Sequence, residues 1–367
     1  MQSNIVRIGI IGCGRVSGHH CRSIVETAGA ELIAVCDLIP EKANLYRDQF
    51  GAKAYVNYHE MLVENPQIDT VAIITPSGMH HEHALDIISR YRRNVIVEKP
   101  TFMKPSQVME VYAAAAASGV QVFAVFQNRH NLAVKRVLRG LEQGELGRVR
   151  SIAVRVRWCR PQRYYDLAPW RGTFSMDGGC LTNQGIHHID LLRLTGGEVE
   201  RVCGVNRTLG ASIEVEDTAA ASMVFESGAI GTLEITTAAR PIDYEASLSL
   251  VCENGLAQVG GIAVNELQVY TPDPASCDKN TEDFSGNVYG NGHAKIYQQI
   301  VETIAKGLPF PVTGADTLGT IRLLNSFYVA DETQSWVNVA TAGDSGRLGE
   351  VDEALANMYR TSPKHVD

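Results

Sequence analysis

The chain has 367 residues, 45% of them hydrophobic and 20% charged, with a formal net charge of −8. That length suits two domains, and the composition shows no sign of disorder. The negative balance argues against a general nucleic-acid or anionic-membrane surface, and no apolar run approaches the ~20 residues of a spanning helix.

The first third alternates apolar strands with helical stretches. Ile8-Gly9-Ile10-Ile11 suits a buried parallel strand, and it turns sharply at Gly12-Cys13-Gly14 into a helix start. A strand, a glycine turn and a helix N-terminus make a pyrophosphate site, because unpaired N–H groups of the first turn face the negative charge. Ser17, at the third fingerprint position, is small enough for close helix–strand packing. About 20 residues on, Leu32-Ile33-Ala34-Val35-Cys36-Asp37 is a second apolar strand ending in an acid, as the dinucleotide pattern requires. A carboxylate there accepts from both ribose hydroxyls and repels a 2′-phosphate, so Asp37 points to NAD rather than NADP.

Helices are expected over Pro40–Phe50 and Asn57–Asn65, then a strand over Thr70–Ile74 ending in Thr75-Pro76-Ser77. A His-rich helix start, His80–Ile88, leads to the strand Asn94–Val97 and to Glu98-Lys99-Pro100. A helix over Ser106–Ala117 and a strand over Gln121–Phe126 close this part. Apolar strands separated by helices predict a doubly wound parallel sheet, with ligands at the carboxyl ends of its strands. Those ends carry Gly12, Asp37, Thr75-Pro76-Ser77, Glu98-Lys99-Pro100 and Gln127-Asn128-Arg129.

Past Asn131 the pattern changes. A helix over Leu132–Gln143 precedes a strand in which Ile152, Val154 and Val156 alternate with Ala153, Arg155 and Arg157. Further strands are expected over 201–205, 218–225, 229–237, 246–252 and 267–270, and helices over 294–306 and 315–333. This predicts an α+β domain with a large, mostly antiparallel open sheet. The chain thus divides into a Rossmann NAD-binding domain, 1–127, and an α+β substrate-binding and oligomerisation domain, 128–367. The tail contains a short helix within 352–360 and is expected to pack on a neighbouring subunit.

The eight cysteines form no CxxC pair and no metal-like cluster, so no metal and no disulfide framework is expected. Together with a first strand that follows the N-terminus almost at once, this reads as a cytoplasmic chain without a secretory leader.

Two constellations could do chemistry. Lys99, extended because Pro100 follows it, could hydrogen-bond a substrate hydroxyl and stabilise developing charge. A solvated loop lysine is the plain alternative. The second is Asp177-Gly178-Gly179-Cys180-Leu181-Thr182-Asn183-Gln184-Gly185-Ile186-His187-His188-Ile189-Asp190, read as a flexible glycine entry and a helix over 182–194. Asn183 and His187 are four apart and share a face. A His facing a strand-end Lys suits proton removal from an alcohol. A single His is more often structural, and two adjacent ones leave the choice open.

These motifs, with Gly144-Glu145-Leu146-Gly147 and Val215-Glu216-Asp217-Thr218, resemble the glucose-fructose oxidoreductase/inositol dehydrogenase (Gfo/Idh/MocA) family over nearly the whole chain. The resemblance implies a Rossmann domain, a C-terminal sheet domain, NAD as cofactor, and a homodimer or homotetramer joined through that sheet. It makes Lys99 and His187 the catalytic pair. It assigns cofactor binding to Gly12, Gly14, Arg15, Val16, Asp37, Thr75, Pro76, Ser77, His80, Glu98, Lys99, Gln127 and Asn128. The usual Asp four residues before the His is Asn183 here, and Ser77 stands where Asn is frequent. Tyr164-Tyr165-Asp166, Trp170-Arg171-Gly172-Thr173 and the Asn183–His188 run look like the bacterial nucleotide-sugar 3-dehydrogenases. That branch implies a UDP-linked N-acetylhexosamine (UDP-GlcNAc) or its uronate as substrate, with Asn183, Tyr164, Trp170, Arg171, Arg163 and Tyr289 near it. Arg160, Arg163 and Arg171 cluster in sequence, and arginine favours bidentate phosphate or carboxylate contacts. Arg155 and Arg157 are read as sheet-face or interface residues. The competing readings are a dehydrogenase of a free sugar or polyol, and a non-catalytic NAD-binding protein.

Overall fold

The computed structural model describes residues 5–284 and 290–363. Strands β1 (Val6–Ile11), β2 (Ala30–Cys36), β3 (Lys53–Tyr55), β4 (Thr70–Ile73), β5 (Asn94–Val97) and β6 (Val122–Ala124) form an all-parallel sheet in the order β3-β2-β1-β4-β5-β6. Helices α1 (Ser17–Glu26), α2 (Pro40–Phe50), α3 (Tyr58–Glu64), α4 (His80–Asp86) and α5 (Pro105–Ser118) connect them. Both faces are covered, so β1 and β4 are apolar almost throughout. Pro40 at the start of α2 and left-handed Gly51 at its end bound that helix sharply.

The second part runs α6 (Leu132–Glu142), β7 (Val149–Arg157), α7 (Gln162–Tyr165), α8 (Ile186–Gly196), β8 (Val199–Arg207), β9 (Thr218–Phe225), β10 (Ile230–Thr236), β11 (Glu245–Cys252), β12 (Leu256–Gly260) and β13 (Glu266–Tyr270). It ends with α9 (Gly292–Lys306), α10 (Gly314–Thr333), β14 (Val337–Asn338) and α11 (Glu353–Asn357). The eight strands are ordered β13-β12-β11-β7-β10-β9-β8-β14, antiparallel except for β7 beside β10. Ile152, Val154 and Val156 point into the core, while Arg155 and Arg157 stand on the other face, paired with Glu234 and Glu245. The α/β architecture and the mostly antiparallel second sheet are as the sequence predicts.

Three strands escaped that prediction: β3, β12 and β14. Two are only two or three residues long, and β12 carries little apolar alternation; pairing with neighbours makes them strands. Helix α9 packs beside α1, where Ile296, Tyr297 and Ile300 join Cys21 and Ile24 in one apolar cluster. Helix α10 crosses from β8 and α8 to α5. Among the described residues no helix is long and apolar enough to cross a membrane. All eight cysteines are free, and Cys13, Cys21, Cys36, Cys180 and Cys252 are buried.

The expected helix over 182–194 is a correction. A wide π turn, Cys180–Gln184, comes first, and α8 starts only after Gly185. The turn is wound wide because Gly185 N–H reaches the Cys180 carbonyl, five residues back, at 2.8 Å. Beneath it lies Glu216, buried, accepting from Leu181 N–H at 3.1 Å and Tyr328 O–H at 2.8 Å. A Cβ on Gly179 would lie 2.1 Å from the Glu216 carboxyl carbon, so this approach needs glycine.

Burial pushes Glu216 up from 4.5 to about 7, against the hydrogen bonds from Tyr328 and Leu181. A raised carboxyl pKa leaves stability untouched below the unfolded value and removes it as pH climbs through the window from 4.5 to about 7. The full cost above that window is about 3 kcal/mol. Glu216→Gln is therefore expected to raise the melting temperature at pH 8 and leave it unchanged near pH 4. Equal shifts at the two pH values would sink the electrostatic account.

Candidate active site

The carboxyl ends of β1, β2, β4 and β5 open into a cleft of about 570 Å³. The turn after β1 forms its floor. Gly12 has φ +91°, and a Cβ there would lie 2.4 Å from the Ile74 carbonyl oxygen, so only glycine fits. A Cβ on Gly14 would meet nothing within 4 Å. The turn therefore has a tight side against β4 and a clear side towards the cleft, the shape a pyrophosphate needs. Ser17 Oγ donates to the Gly12 carbonyl at 2.7 Å and locks the turn onto α1.

Asp37 ends β2. Its Oδ2 accepts Cys13 N–H at 2.8 Å and its Oδ1 accepts Ile39 N–H at 2.9 Å. The carboxylate is thereby fixed beside the glycine turn, in the cleft wall, where ribose hydroxyls can donate to it. Arg15, Val16, Thr75, Pro76, Ser77, His80, Glu98 and Gln127 line the same cleft. Buried His80 bridges the Thr75 and Pro100 carbonyls at 3.0 and 2.9 Å and ties the loops after β4 and β5 together.

Lys99 follows β5. Its Nζ donates to the Asn183 backbone oxygen at 2.8 Å and to Asn183 Oδ1 at 3.4 Å. Burial lowers its pKa, opposed by the carboxylates of Glu98 and Asp177 and reinforced by Arg171 and Arg160. His187, from the first turn of α8, is buried, and neither ring nitrogen has a hydrogen-bond partner among the described residues. Burial first, and then the Lys99 charge, hold its pKa well below the usual range, so the ring is neutral at pH 7, and His187 is not among the residues that line the cleft. His188, which spacing could not separate from His187, instead meets Trp158 edge-to-face at 5.7 Å.

Behind Lys99 lies a second buried group. Glu98 Oε1 accepts from His20 Nε2 at 3.0 Å and His293 Nε2 at 3.3 Å, and Oε2 accepts Lys99 N–H at 2.9 Å. His20 Nδ1 in turn meets Tyr297 Oη at 2.8 Å. Burial pushes Glu98 up, but the two imidazole donors outweigh it and hold the carboxyl well below its usual range. The three ligand-type atoms lie within 4.8 Å of one another, as metal ligands can, and here the two imidazoles hydrogen-bond to the carboxylate. The cluster is an anion held by two imidazoles.

The upper wall is aromatic and cationic. The Arg171 guanidinium lies 4.5 Å from the ring centres of both Tyr164 and Trp170 and donates to Tyr164 Oη at 2.6 Å. Among the described residues it makes no ion pair. Arg160 is spent differently, on Asp243 at 2.8 Å.

Some expected residues are not brought to this cleft. Arg163 is exposed on α7 and does not line it. Asn128 sits in the short turn Gln127–His130, away from the lining, because Gln127 takes the inward position. Tyr289 lies outside the described residues. The tail packs on its own chain, where Met358, Tyr359 and Thr361 line the cleft. Arg360 pairs with Glu82 at 2.9 Å, His59 contacts the Thr361 carbonyl at 3.1 Å, and Leu355 and Ala356 pack on Met79 and Met176. Sequence reasoning missed Asp177, His20 and His293 as site residues. Asp177 stood at the head of a quoted motif, but two glycines hid its direction. His293 reaches Glu98 across 195 residues, beyond any spacing rule.

A dinucleotide-binding turn, an acid at the end of β2 and a strand-end lysine that line one cleft fit a nicotinamide-dependent oxidoreductase. Residues 6–126 match the oxidoreductase family model with an NAD-binding Rossmann fold, and residues 134–258 match the GFO/IDH/MocA C-terminal domain. The chain belongs to the GFO/IDH/MocA oxidoreductase family, and its cofactor is NAD. It is similar to the WlbA dehydrogenase of Bordetella pertussis, solved with NADH and UDP-GlcNAcA, at 32% identity and TM-score 0.86, covering 92% of this chain and 99% of that one. The WlbA enzyme of Chromobacterium violaceum, solved with the same two ligands, gives 31% and 0.84 over 92% and 97%. Among curated relatives, a myo-inositol 2-dehydrogenase of Thermotoga maritima is 24% identical over 318 residues, 85% of this chain and 92% of its own.

Proposed function

We propose that the protein oxidises a sugar hydroxyl, at C3 of a UDP-linked N-acetylhexosamine or its uronate, in nucleotide-sugar biosynthesis. The observation that carries this reading is Arg171, a guanidinium that makes no ion pair among the described residues and is clamped by Tyr164 and Trp170 in the wall of the cleft that holds Lys99. A nucleotide sugar brings two or more negative charges, and a planar, pre-aligned guanidinium suits phosphate or carboxylate. Similarity to two WlbA enzymes solved with UDP-GlcNAcA supports the same substrate class.

In this reading His187 accepts the hydroxyl proton as the carbon gives up its hydride. Lys99 hydrogen-bonds the same oxygen and favours its alkoxide-like form, and Asn183 orients the sugar. Bound NAD supplies the hydride acceptor. Gly14, the Asp37 carboxylate and the Thr75–Ser77 loop, which line the cleft, would hold it. Copies associate as a homodimer or homotetramer through the sheet face that carries Arg155 and Arg157.

A second reading, a dehydrogenase of a free polyol, is favoured by the inositol dehydrogenases among the curated relatives. NADH absorbance with UDP-N-acetylglucosamine, its uronate, free N-acetylglucosamine and inositol separates the two. The series is repeated with 2-oxoglutarate, and products are read by mass spectrometry. A two-hydrogen mass loss on one UDP-sugar is expected. Turnover of inositol with silence on both UDP-sugars would reject the nucleotide-sugar reading.

A further inference from the structure

Asp177 is among the most buried carboxyl groups of the chain, 1% exposed, on the loop that enters the π turn. Its Oδ2 accepts Gly172 N–H at 2.8 Å, and its Oδ1 accepts from Asn183 Nδ2 in a very short contact. The other end of that amide, Asn183 Oδ1, is an acceptor for Lys99 Nζ. An amide has one donor end and one acceptor end, and nothing in its shape tells them apart. An acceptor-only carboxylate on one side forces the NH₂ to that side and leaves the oxygen to the ammonium.

We propose that Asp177 is a positioning residue: its carboxylate sets the orientation of the Asn183 amide and, through it, the placement and charge of Lys99. The inference rests on the reading of Lys99 and His187 as the proton-handling pair. Lys99 thus has two carboxylates near it, Glu98 on its own strand end and Asp177 behind the amide. The groups that face Asp177 are Arg171 from the same loop, Lys99 from the end of β5 and Tyr165 from α7. Burial raises Asp177 to about 6, against the Gly172 N–H, Arg171, Asn183 and Lys99. Below that pH the carboxyl carries a proton, its charge on Lys99 disappears, and the amide loses the partner that fixes it. Activity therefore falls on the acid side as Asp177 protonates.

The test uses the full-length, NAD-loaded protein in three forms: Asp177→Asn, Asn183→Asp, and the double exchange Asp177→Asn/Asn183→Asp. Two quantities are read across pH, kcat on the active sugar and the extent of trace acetylation of Lys99 by acetic anhydride, measured by mass spectrometry. Asp177→Asn is expected to lower kcat by about 10-fold or more, given the usual size of acid–base contributions. It should also remove the acid limb near pH 6 and move Lys99 acetylation to lower pH. The double exchange restores the donor–acceptor pair with its ends reversed and should recover most of both. Asp177→Asn with an unchanged Lys99 profile would overturn the proposal. So would a double exchange no better than Asp177→Asn, which is the pattern of a residue needed only for folding. If no sugar is turned over, the proposed reaction fails while the acetylation profile still decides the role of Asp177.

Discussion

Lys99→Ala is expected to lower kcat by about 10²-fold or more while NAD still binds, and His187→Ala to do the same. The two side chains approach the site from different elements, the end of β5 and the first turn of α8. Neither is needed to form the Gly12–Asp37 floor, so cofactor affinity reports independently that the cleft is intact. The roles differ in kind. Lys99 is held by Asn183 and, in the proposed reaction, would present its positive charge to developing negative charge. His187 is neutral because it is buried beside that charge, and a neutral imidazole can take a proton. Steady-state kinetics with a parallel NAD titration checks both variants. Turnover like that of the unsubstituted protein in either would remove that residue from the mechanism.

Glu98→Gln should cost stability as well as rate. The carboxylate accepts three N–H groups, two from imidazoles and one from the backbone of Lys99. An amide in its place turns one acceptor end into a donor that faces donors. Leaving buried donors unpaired costs about 2–4 kcal/mol, and the melting temperature should drop by roughly 5 °C at pH 7. Because the folded-state pKa is depressed, this stabilisation is fully present above the unfolded value of 4.5 and is lost as pH falls through the folded one. Melting curves for the two proteins should therefore converge in acid. A variant that melts like the unsubstituted protein at pH 7 would show that the His20–Glu98–His293 cluster contributes no net stability.

Much of the floor of the site was legible because its chemistry is local. Gly12, Gly14 and Asp37 follow from one strand, one turn and one fixed spacing, and Lys99 from its seat at a strand end. What the sequence hid lies in contacts between distant segments. His187 and His188 are both buried with unpartnered ring nitrogens among the described residues, and what sets the second apart is its contact with Trp158, 30 residues earlier. Arg160 looks like a substrate arginine until Asp243 neutralises it across 83 residues. A helical reading of 182–194 respects the periodicity but cannot see Glu216 beneath Gly179, or the Gly185–Cys180 hydrogen bond that widens the turn. The parallel pairing of β7 with β10 is likewise a matter of strand order, which alternation along one strand does not encode.

Helix α9 has a consequence for how such chains can be recombined. It lies far beyond the dinucleotide-binding segment in sequence, yet Ile296, Tyr297 and Ile300 complete the apolar layer around α1, and His293 at its start closes on Glu98. A fragment ending near residue 127 would leave that layer open to water and Glu98 short of a donor. Swapping C-terminal halves between relatives therefore imports a foreign α9 into the native α1 seam. Chimeras of this fold should stay active only where α1 (Ser17–Glu26) and α9 (Gly292–Lys306) come from the same parent, so inheritance of the two helices is coupled although they lie far apart in the sequence.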